Sequence, residues 1–401
     1  MITPANRIVS SGHYIFEEIA QMKRKDPRPA EDIFDLGVGS PDQPPHGDIF
    51  EMLNKHVRAM QEHNSRYSPF DGAPEFRKAV ANWYQRRFGV TVNPNGEVLP
   101  LIGSKEGIAK LMLAYINPGD TVVIATPCYP AYLGAAKIVE ANVVELPLHA
   151  ENNYLPDYDD VPQSAWDKAK LLFLNYPNNP IGAAAELPVY QKALELADKY
   201  DFIVVSDLAY SELALEPGTP TPSIMQLPGA KELAVEFHSF SKSYNMAGWR
   251  LGWVVGNPQI IADLVKIKAN MDFSQFLAIQ RTGADILNSS TDYAEAQRKQ
   301  YRRRRDLFIE GFGQLGWHLT PPRAAMYIWD RVPRRYADAG VFAKEFFRDT
   351  GVIVSPGSAF GSHCKDFMRI SMVIDEDRIA RLLKKVRESG FKFDQGAHTA
   401  R

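Results

Sequence analysis

The chain has 401 residues, enough for two or three domains and a large hydrophobic core. Its 46 Lys and Arg residues nearly balance 48 Asp and Glu residues, and the net charge of −2 gives no support to nucleic-acid or membrane-surface binding. Cys128 and Cys364 lack the paired spacing of zinc sites and disulfide frameworks, so we expect no bound metal and a reducing, cytoplasmic location. No apolar run is long enough to span a bilayer, so we expect no membrane partner.

Short apolar runs alternate with helical patterns from about residue 95 to residue 256. The runs are VLPLIGS, TVVIATP, NVVELPL, KLLFLNYP, DFIVVSD, AVEFHSF and LGWVVG. Several are β-branched or aromatic and apolar on both faces, which is typical of buried strands in a mainly parallel sheet. Helical patterns such as KEGIAKLMLAYI and LPVYQKALELADKY lie between them. The alternation predicts an α/β domain with helices covering both faces of the sheet.

The pattern changes after residue 280. A long charged helical stretch leads into MYIWDRVP, a further helix, VIVSPGSAFG and FMRISMV, which together predict a smaller α+β domain. The four arginines at 302–305 are interpreted as a solvated helix face rather than an anion-binding patch. The expected division is an N-terminal segment (1–45) joining the small domain, a large domain (46–285) and a small C-terminal domain (286–401).

Polar residues follow the predicted strands at the edge where the ligand crevice of an open α/β sheet lies. GSKEG opens a helix, so the backbone N–H groups of this Gly-Ser turn suit a phosphate, although this signal taken alone favours Ser104 as a plain N-cap. The stretch YPNNPIG brings Asn179, which could present its amide to a ligand or form an ordinary turn. In SDLAY, Asp207 ends a buried strand and therefore needs a partner, and Tyr210 follows three residues later.

The stretch HSFSKSYNMAGWR follows the next strand and contains Lys242 between two serines, with Arg250 eight residues later. A lysine alone in such a loop is usually a surface residue. Near a cation such as Arg250, or out of water, its ammonium form is disfavoured and the amine becomes nucleophilic. A lysine, an acid, a tyrosine, an amide and an arginine at one edge are the groups that a phosphorylated pyridine aldehyde needs.

These motifs resemble those of class I and II aminotransferases of the fold-type I pyridoxal-phosphate superfamily. SFSKSYNMAGWRLG is similar to the family's lysine motif, and YPNNPIG, SDLAY, GSKEG, TPCYPAY, RYSPFDGAPEFRKAV and MRIS occur in the family's order and spacing. The resemblance covers essentially the whole chain. It implies a seven-stranded, mainly parallel sheet in a large cofactor-binding domain, a smaller α+β domain, and pyridoxal 5′-phosphate as the cofactor.

The resemblance also implies a role for each motif residue in holding the cofactor. Lys242 is expected to bond covalently to the aldehyde and later to move the proton at the substrate Cα. Asp207 is expected to pair with the ring nitrogen, and Asn179 and Tyr210 to hydrogen bond the phenolic oxygen. The residues expected to hold the ring and the phosphate are Tyr129, which stacks on the ring, and Ser104, Lys105, Ser239 and Arg250.

The remaining expectations concern the substrate and a second subunit. Arg369 in MRIS is expected to bind the α-carboxylate, because its planar guanidinium aligns a carboxylate in two hydrogen bonds. Gly39 and Asn179 are expected to contact the substrate, and Tyr14 belongs to an N-terminal segment expected to fold over it. Tyr67 in RYSP is expected to reach the phosphate of the neighbouring subunit, so the resemblance implies a homodimer.

Two branches of the family resemble the chain most, and the sequence leaves their substrates open. GSKEGIAKLMLA, DLAYSEL and PSIMQLPGA are similar to bacterial alanine aminotransferases, so alanine–glutamate exchange with pyruvate and 2-oxoglutarate is the preferred prediction. HYIFEEI, with Tyr14, resembles the LL-diaminopimelate aminotransferases. In VKIKANMDFSQF the basic residues are Lys266 and Lys268, with no arginine for a second carboxylate, which argues against strict aspartate specificity.

Two rivals from other classes remain. A lyase on the same fold would keep Lys242 and Asp207 and release ammonia or carbon dioxide instead of transferring nitrogen. A ligand-sensing regulator on this fold would need a DNA-binding segment, and the part before the sheet domain is short and not basic.

Overall fold

The computed structural model describes residues 2–10, 15–61 and 66–393. The strands are β1 (Phe34–Asp35), β2 (Val98–Leu101), β3 (Thr121–Thr126), β4 (Asn142–Pro147), β5 (Ala169–Asn175), β6 (Ile203–Asp207), β7 (Ala234–Ser239), β8 (Gly252–Gly256), β9 (Tyr327–Arg331), β10 (Val352–Ile353), β11 (Ser355–Pro356) and β12 (Phe367–Ser371).

The helices cover the sheet and build the C-terminal part of the chain. They are α1 (Asn6–Ser10), α2 (Ile15–Lys25), α3 (Gly47–Gln61), α4 (Pro74–Phe88), α5 (Ser104–Tyr115), α6 (Pro130–Ile138), α7 (Gln163–Trp166), α8 (Leu187–Tyr200), α9 (Ala230–Leu233), α10 (Phe240–Ser243), α11 (Pro258–Met271), α12 (Leu277–Asn288), α13 (Ala294–Gln314), α14 (Ala339–Thr350) and α15 (Glu376–Glu388). No helix within the described ranges is both long and apolar enough to cross a membrane.

A seven-stranded sheet forms the centre, in the order β2-β8-β7-β6-β5-β3-β4. The pairs of β3, β4, β5, β6 and β7 are parallel, and β8 runs antiparallel to both its neighbours. All seven predicted apolar runs are strands of this sheet, and the predicted mainly parallel α/β fold is confirmed. Their side chains fill cores on both faces of the sheet.

The sheet has its topological switch between β3 and β5. The chain proceeds outward from β3 to β4, and in the opposite direction from β5 through β6 to β7. In such a sheet the crevice lies at the carboxyl ends of the strands beside the switch. The segments that follow β3, β5, β6 and β7 therefore meet at one edge.

The C-terminal part contains a small antiparallel sheet in the order β11-β12-β9 and a third hydrophobic core. The short strand β1, from the N-terminal segment, pairs in parallel with β10. Phe34 and Leu36 beside it are buried in the same core as residues of α13 and α15. We propose that the chain divides into an N-terminal segment (1–45) that joins the small domain, a large domain (46–285) and a small C-terminal domain (286–401).

Candidate active site

A cavity of about 340 Å³ opens at the carboxyl edge of the central sheet. It brings together eleven of the residues singled out from the sequence, which come from seven separate segments. They are Gly39, Ser104, Lys105, Tyr129, Asn179, Asp207, Tyr210, Ser239, Lys242, Arg250 and Arg369. Tyr67 does not line this cavity, and Tyr14 lies outside the described residues.

Lys242 is placed by the end of β7. Ser239 is the N-cap of the short helix α10, its hydroxyl accepting a hydrogen bond from the Ser241 N–H at 3.1 Å, and this turns the chain so that Lys242 lines the cavity. The Nζ atom donates to the Gly39 carbonyl at 2.5 Å. Burial, together with the guanidinium groups of Arg369 and Arg250, lowers the pKa of Lys242 to about 7.

Asp207 ends β6 and is 4% exposed. Its Oδ2 accepts a hydrogen bond from the Tyr132 hydroxyl at 2.5 Å, and its Oδ1 accepts one from the Ala209 N–H at 3.2 Å. Burial raises the pKa of Asp207, although these hydrogen bonds act in the opposite direction. A buried carboxylate of this kind is stabilised by a cation, and its position in the cavity wall leaves room for a cationic ligand atom.

Asn179 connects the two ends of the cavity. Its Nδ2 donates to the Tyr210 hydroxyl at 3.4 Å, and its Oδ1 accepts from Nη1 of Arg369 at 3.0 Å. The Tyr210 hydroxyl is also hydrogen bonded to the Tyr327 hydroxyl at 2.8 Å, and burial raises the pKa of Tyr210. The predicted partner of a cofactor oxygen and the predicted carboxylate-binding arginine are therefore held by one amide.

Arg369 lies on β12 and is 1% exposed. Its Nη2 donates to the Gly37 carbonyl at 2.5 Å, and its guanidinium lies 4.5 Å from the centre of the Tyr327 ring and 4.8 Å from that of Phe360. Glycine is required at position 39, because a Cβ there would collide with the Tyr327 hydroxyl. The cation is thus fixed in orientation by aromatic rings and by backbone.

Two chain segments, the start of α5 and the loop that carries Arg250, meet at one end of the cavity and are here called the seat. Helix α5 begins at Ser104, and its N-cap is Gly103 at φ 75°, so the alternative in which Ser104 is the N-cap is wrong. A side chain at position 103 would collide with the Arg250 guanidinium, so glycine lets that cation approach the helix N-terminus. Arg250 itself has φ 55°, and its Nη1 donates to the Ala247 carbonyl at 2.7 Å. A helix N-terminus, with its positive dipole end, and a guanidinium together suit a phosphate.

Sequence reasoning missed four polar residues of the site: Asn175, Ser241 and Tyr327, which line the cavity, and Tyr132, whose hydroxyl donates to Asp207 behind it. Two of the four, Asn175 and Tyr132, could have been found from their positions in the sequence. Asn175 is the last residue of β5, and its amide accepts from the Asn179 N–H at 2.8 Å and donates to the Asp207 carbonyl at 2.7 Å. Tyr132 lies one helical turn after Tyr129 in TPCYPAY. Tyr327 comes from β9, far away in sequence, and no local pattern indicates it.

Tyr67 lies on the surface and is 78% exposed. Its ring stacks on the ring of Phe273 with 4.2 Å between ring centres, and the ring of Phe70 also stacks on Phe273, at 5.0 Å. Phe273 and Phe276 are also exposed, at 45% and 47%. These four exposed rings, here called the aromatic patch, come from two neighbouring loops, and a group of exposed aromatic side chains is typical of an interaction site.

Comparison with known proteins identifies the family. The model of aminotransferase class I and II matches residues 31–386. The LL-diaminopimelate aminotransferase of Halothermothrix orenii is 40% identical over 390 residues, covering 97% of this chain and 99% of that protein. The enzyme of the same name from Moorella thermoacetica is 41% identical over 383 residues, covering 96% and 97%.

Solved structures agree with this result along nearly the whole chain. Substrate-bound BacF from Bacillus subtilis superposes with a TM-score of 0.92 at 33% identity, covering 98% of this chain and 99% of that one. A mutant aspartate aminotransferase of Thermus thermophilus superposes with a TM-score of 0.88 at 26% identity, covering 97% and 100%. Both the family match and the relatives include the segments that build the cavity, and the chain therefore belongs to the class I and II aminotransferases, which are enzymes dependent on pyridoxal phosphate.

Proposed function

We propose that this aminotransferase uses LL-diaminopimelate as its amino donor and 2-oxoglutarate as the acceptor. The observation that carries the aminotransfer chemistry is that Lys242, Asp207 and Arg369 line one cavity. The choice of donor is supported by relatives of about 40% identity that are named for LL-diaminopimelate. The similarity to alanine aminotransferases expected from the motifs is not confirmed by these relatives, so alanine–glutamate exchange becomes the second candidate.

Lys242 is proposed as the nucleophile and the proton carrier. With a pKa of about 7, a large fraction of its side chain is the neutral amine at physiological pH, whereas an ordinary lysine is almost fully protonated. The bound cofactor supplies an aldehyde for this amine and an electron-accepting ring. With cofactor and substrate bound, Lys242 would be the base that takes the proton from the substrate Cα and the acid that returns it to the cofactor carbon that carried the aldehyde.

Asp207 is proposed to bind the protonated nitrogen of the pyridine ring. The burial of Asp207 supports this role. Burial disfavours the charged carboxylate and raises its pKa, and a cation beside the carboxylate would offset this desolvation penalty. The Tyr132 hydroxyl donates to Oδ2 of Asp207, and Oδ1 of Asp207 accepts from the Ala209 N–H, so the carboxylate is fixed in orientation. Asn179 and Tyr210 are proposed to donate hydrogen bonds to the phenolic oxygen, and Tyr129 to stack on the ring.

The phosphate is proposed to occupy the seat at the start of α5. The groups that would hold it are the hydroxyl of Ser104, the N–H of Lys105, the hydroxyl of Ser239 and the guanidinium of Arg250, all of which line the cavity. Orienting the cofactor by its phosphate fixes the reacting carbon near Lys242 without any covalent contribution from the seat.

A homodimer is proposed to complete the site. The aromatic patch is exposed in the single chain, and burying it against a second copy removes apolar surface from water. Tyr67 does not line the cavity of its own chain, which fits the proposal that its hydroxyl reaches the phosphate in the partner. Tyr14, in the N-terminal segment, is likewise proposed to cover the substrate.

The charges of the cavity favour a donor whose distal end is neutral overall. Among the described residues that line it, the cations other than Lys242 are Lys105 and Arg250, both at the seat proposed for the phosphate, and Arg369, proposed for the α-carboxylate. Lys268 is fully buried in ion pairs with Glu106 at 3.2 Å and Asp272 at 3.0 Å, so it is not available as a second carboxylate ligand. LL-Diaminopimelate carries an amino and a carboxylate group at its far end, and alanine carries a methyl group, whereas aspartate adds an uncompensated negative charge.

The test is a panel of LL-diaminopimelate, alanine and aspartate, each with 2-oxoglutarate, scored by glutamate formed. We expect kcat/KM for LL-diaminopimelate to exceed that for alanine by roughly tenfold or more, which is the discrimination that side-chain contacts supply. The reverse order would replace the proposal by the second candidate. Ammonia or carbon dioxide released without glutamate would contradict aminotransfer itself.

A further inference from the structure

The two halves of the seat come from distant parts of the sequence and need something to hold them together. One half is the turn from Leu101, at the end of β2, through Gly103 into α5. The other is Arg250, which has a left-handed backbone conformation (φ 55°) that is unfavourable for a residue with a side chain. Such a conformation persists only where surrounding contacts hold it.

One side chain touches both halves. Gln275, in the loop between α11 and α12, is 7% exposed, and its Nε2 donates to the Leu101 carbonyl and to the Arg250 carbonyl, the latter at 3.2 Å. A primary amide carries two N–H donors on one nitrogen, so it can satisfy two carbonyls that converge on it. A carboxylate or an aliphatic side chain of the same length cannot.

The rest of Gln275 is fixed by its surroundings. Its Oε1 accepts from the Ser274 hydroxyl at 2.8 Å, and its backbone carbonyl accepts from the Ser68 hydroxyl at 2.6 Å and from Nε2 of Gln280 at 2.8 Å. Asp272, at the start of the same loop, forms ion pairs with Lys110 of α5 and with Lys268. The amide is therefore held rigidly against the seat.

We propose that Gln275 is a positioning residue for the cofactor phosphate, acting through the backbone of Leu101 and Arg250. It sets the separation between the N-terminus of α5 and the guanidinium of Arg250, the two groups proposed to bind the anion. This inference rests on the proposed placement of the phosphate in that seat. Loss of the amide should weaken binding of the phosphate group and leave the aldehyde and ring contacts of the cavity unchanged.

The experiment compares two ligands that differ only in the phosphate. Apo-enzyme is titrated with pyridoxal phosphate and, separately, with pyridoxal, and binding is followed by the absorbance of the bound aldehyde. Gln275→Met removes both donors at similar length, and Gln275→Glu replaces the donor by an acceptor at nearly the same size. We expect about a tenfold loss of affinity for pyridoxal phosphate in both variants, as two hydrogen bonds predict, and little change for pyridoxal.

Two controls separate the possible failures. Gln297→Met removes another buried amide, on α13, and should leave both affinities unchanged. Arg250→Met should lower the affinity for pyridoxal phosphate alone. If the Arg250 variant does so and the Gln275 variants do not, the positioning role is wrong and the seat stands. If the Gln275 variants lose both ligands equally, the residue is only structural. If Arg250→Met lowers the affinities for pyridoxal phosphate and pyridoxal equally, or changes neither, the placement of the phosphate in the seat is wrong as well.

Discussion

The low pKa of Lys242 makes the stability of the apo-protein depend on pH in a way that one substitution should remove. Lys242 has a pKa of about 7 in the folded chain, against 10.5 for an ordinary lysine. Between these values the unfolded chain binds a proton that the folded chain does not, so the free energy of unfolding rises with pH across this window. Below pH 7 the folded protein has to accommodate the ammonium group among Arg369, Arg250 and apolar surroundings.

The magnitude follows from the difference between the two pKa values. Each pH unit within the window is worth about 1.36 kcal/mol, so the whole effect is at most about 5 kcal/mol. Lys242 is partly exposed to the cavity, and water there screens part of this energy. Between pH 7 and pH 9.5 we expect wild type to gain up to about 3 kcal/mol relative to Lys242→Met, which has similar length and no charge.

Urea unfolding of the two apo-proteins at equal protomer concentration, at pH 6.5, 8 and 9.5, measures this change. At high pH the variant should be slightly the less stable, because it lacks the hydrogen bond to the Gly39 carbonyl. Lys266→Met, at an exposed position on α11, is the matched control and should differ from wild type by a constant amount. A difference between Lys242→Met and wild type that stays constant with pH would show that Lys242 has an ordinary pKa and would refute the reasoning.

Three further substitutions test the proposed roles. Lys242→Ala should keep the fold and the cofactor and lose turnover, and a variant that forms glutamate at near wild-type rate would exclude Lys242 as the nucleophile. Asp207→Asn should lower kcat by on the order of 100-fold with little change in KM, since it removes a charge that acts on the reacting ring; an unchanged kcat would count against the ring contact. Arg369→Lys keeps the charge without the paired hydrogen bonds and should lower kcat/KM for the donor by roughly 10- to 150-fold, whereas an equal loss for an amine without a carboxylate would contradict the assignment.

Hydrophobic patterning was sufficient to predict the sheet. The apolar runs ending in Asn175, Asp207 and Ser239 are strands because residues apolar on both faces can be satisfied only between two layers of helices. The edge that carries the site follows from the same pattern, since parallel strands end on the same side. This is why Asn179, Asp207 and Lys242 could be located without a structure.

Contacts between distant segments were not predictable. The arginines at 302–305 were interpreted as a solvated face, but Arg304 is fully buried and forms two hydrogen bonds of 2.7 Å to the carboxylate of Asp42. Tyr327 and Gln275 were missed for the same reason. Tyr327 hydrogen bonds to the Tyr210 hydroxyl, and Gln275 to the Leu101 carbonyl, and each partner is more than a hundred residues away. No local pattern in the sequence indicates such pairs.

The two roles proposed for Lys242, first nucleophile and then base, fit the charges that surround it. In the apo-protein the positive charges of Arg369 and Arg250 help to keep Lys242 neutral. If Arg369 binds the substrate α-carboxylate as proposed, that negative charge compensates the guanidinium, and the repulsion of an ammonium group at Lys242 decreases. On this proposal the proton affinity of Lys242 would rise when the substrate whose proton it accepts is bound. Asn179 keeps Arg369 in place throughout, because its hydrogen bond to Nη1 leaves the guanidinium one fixed orientation in the cavity.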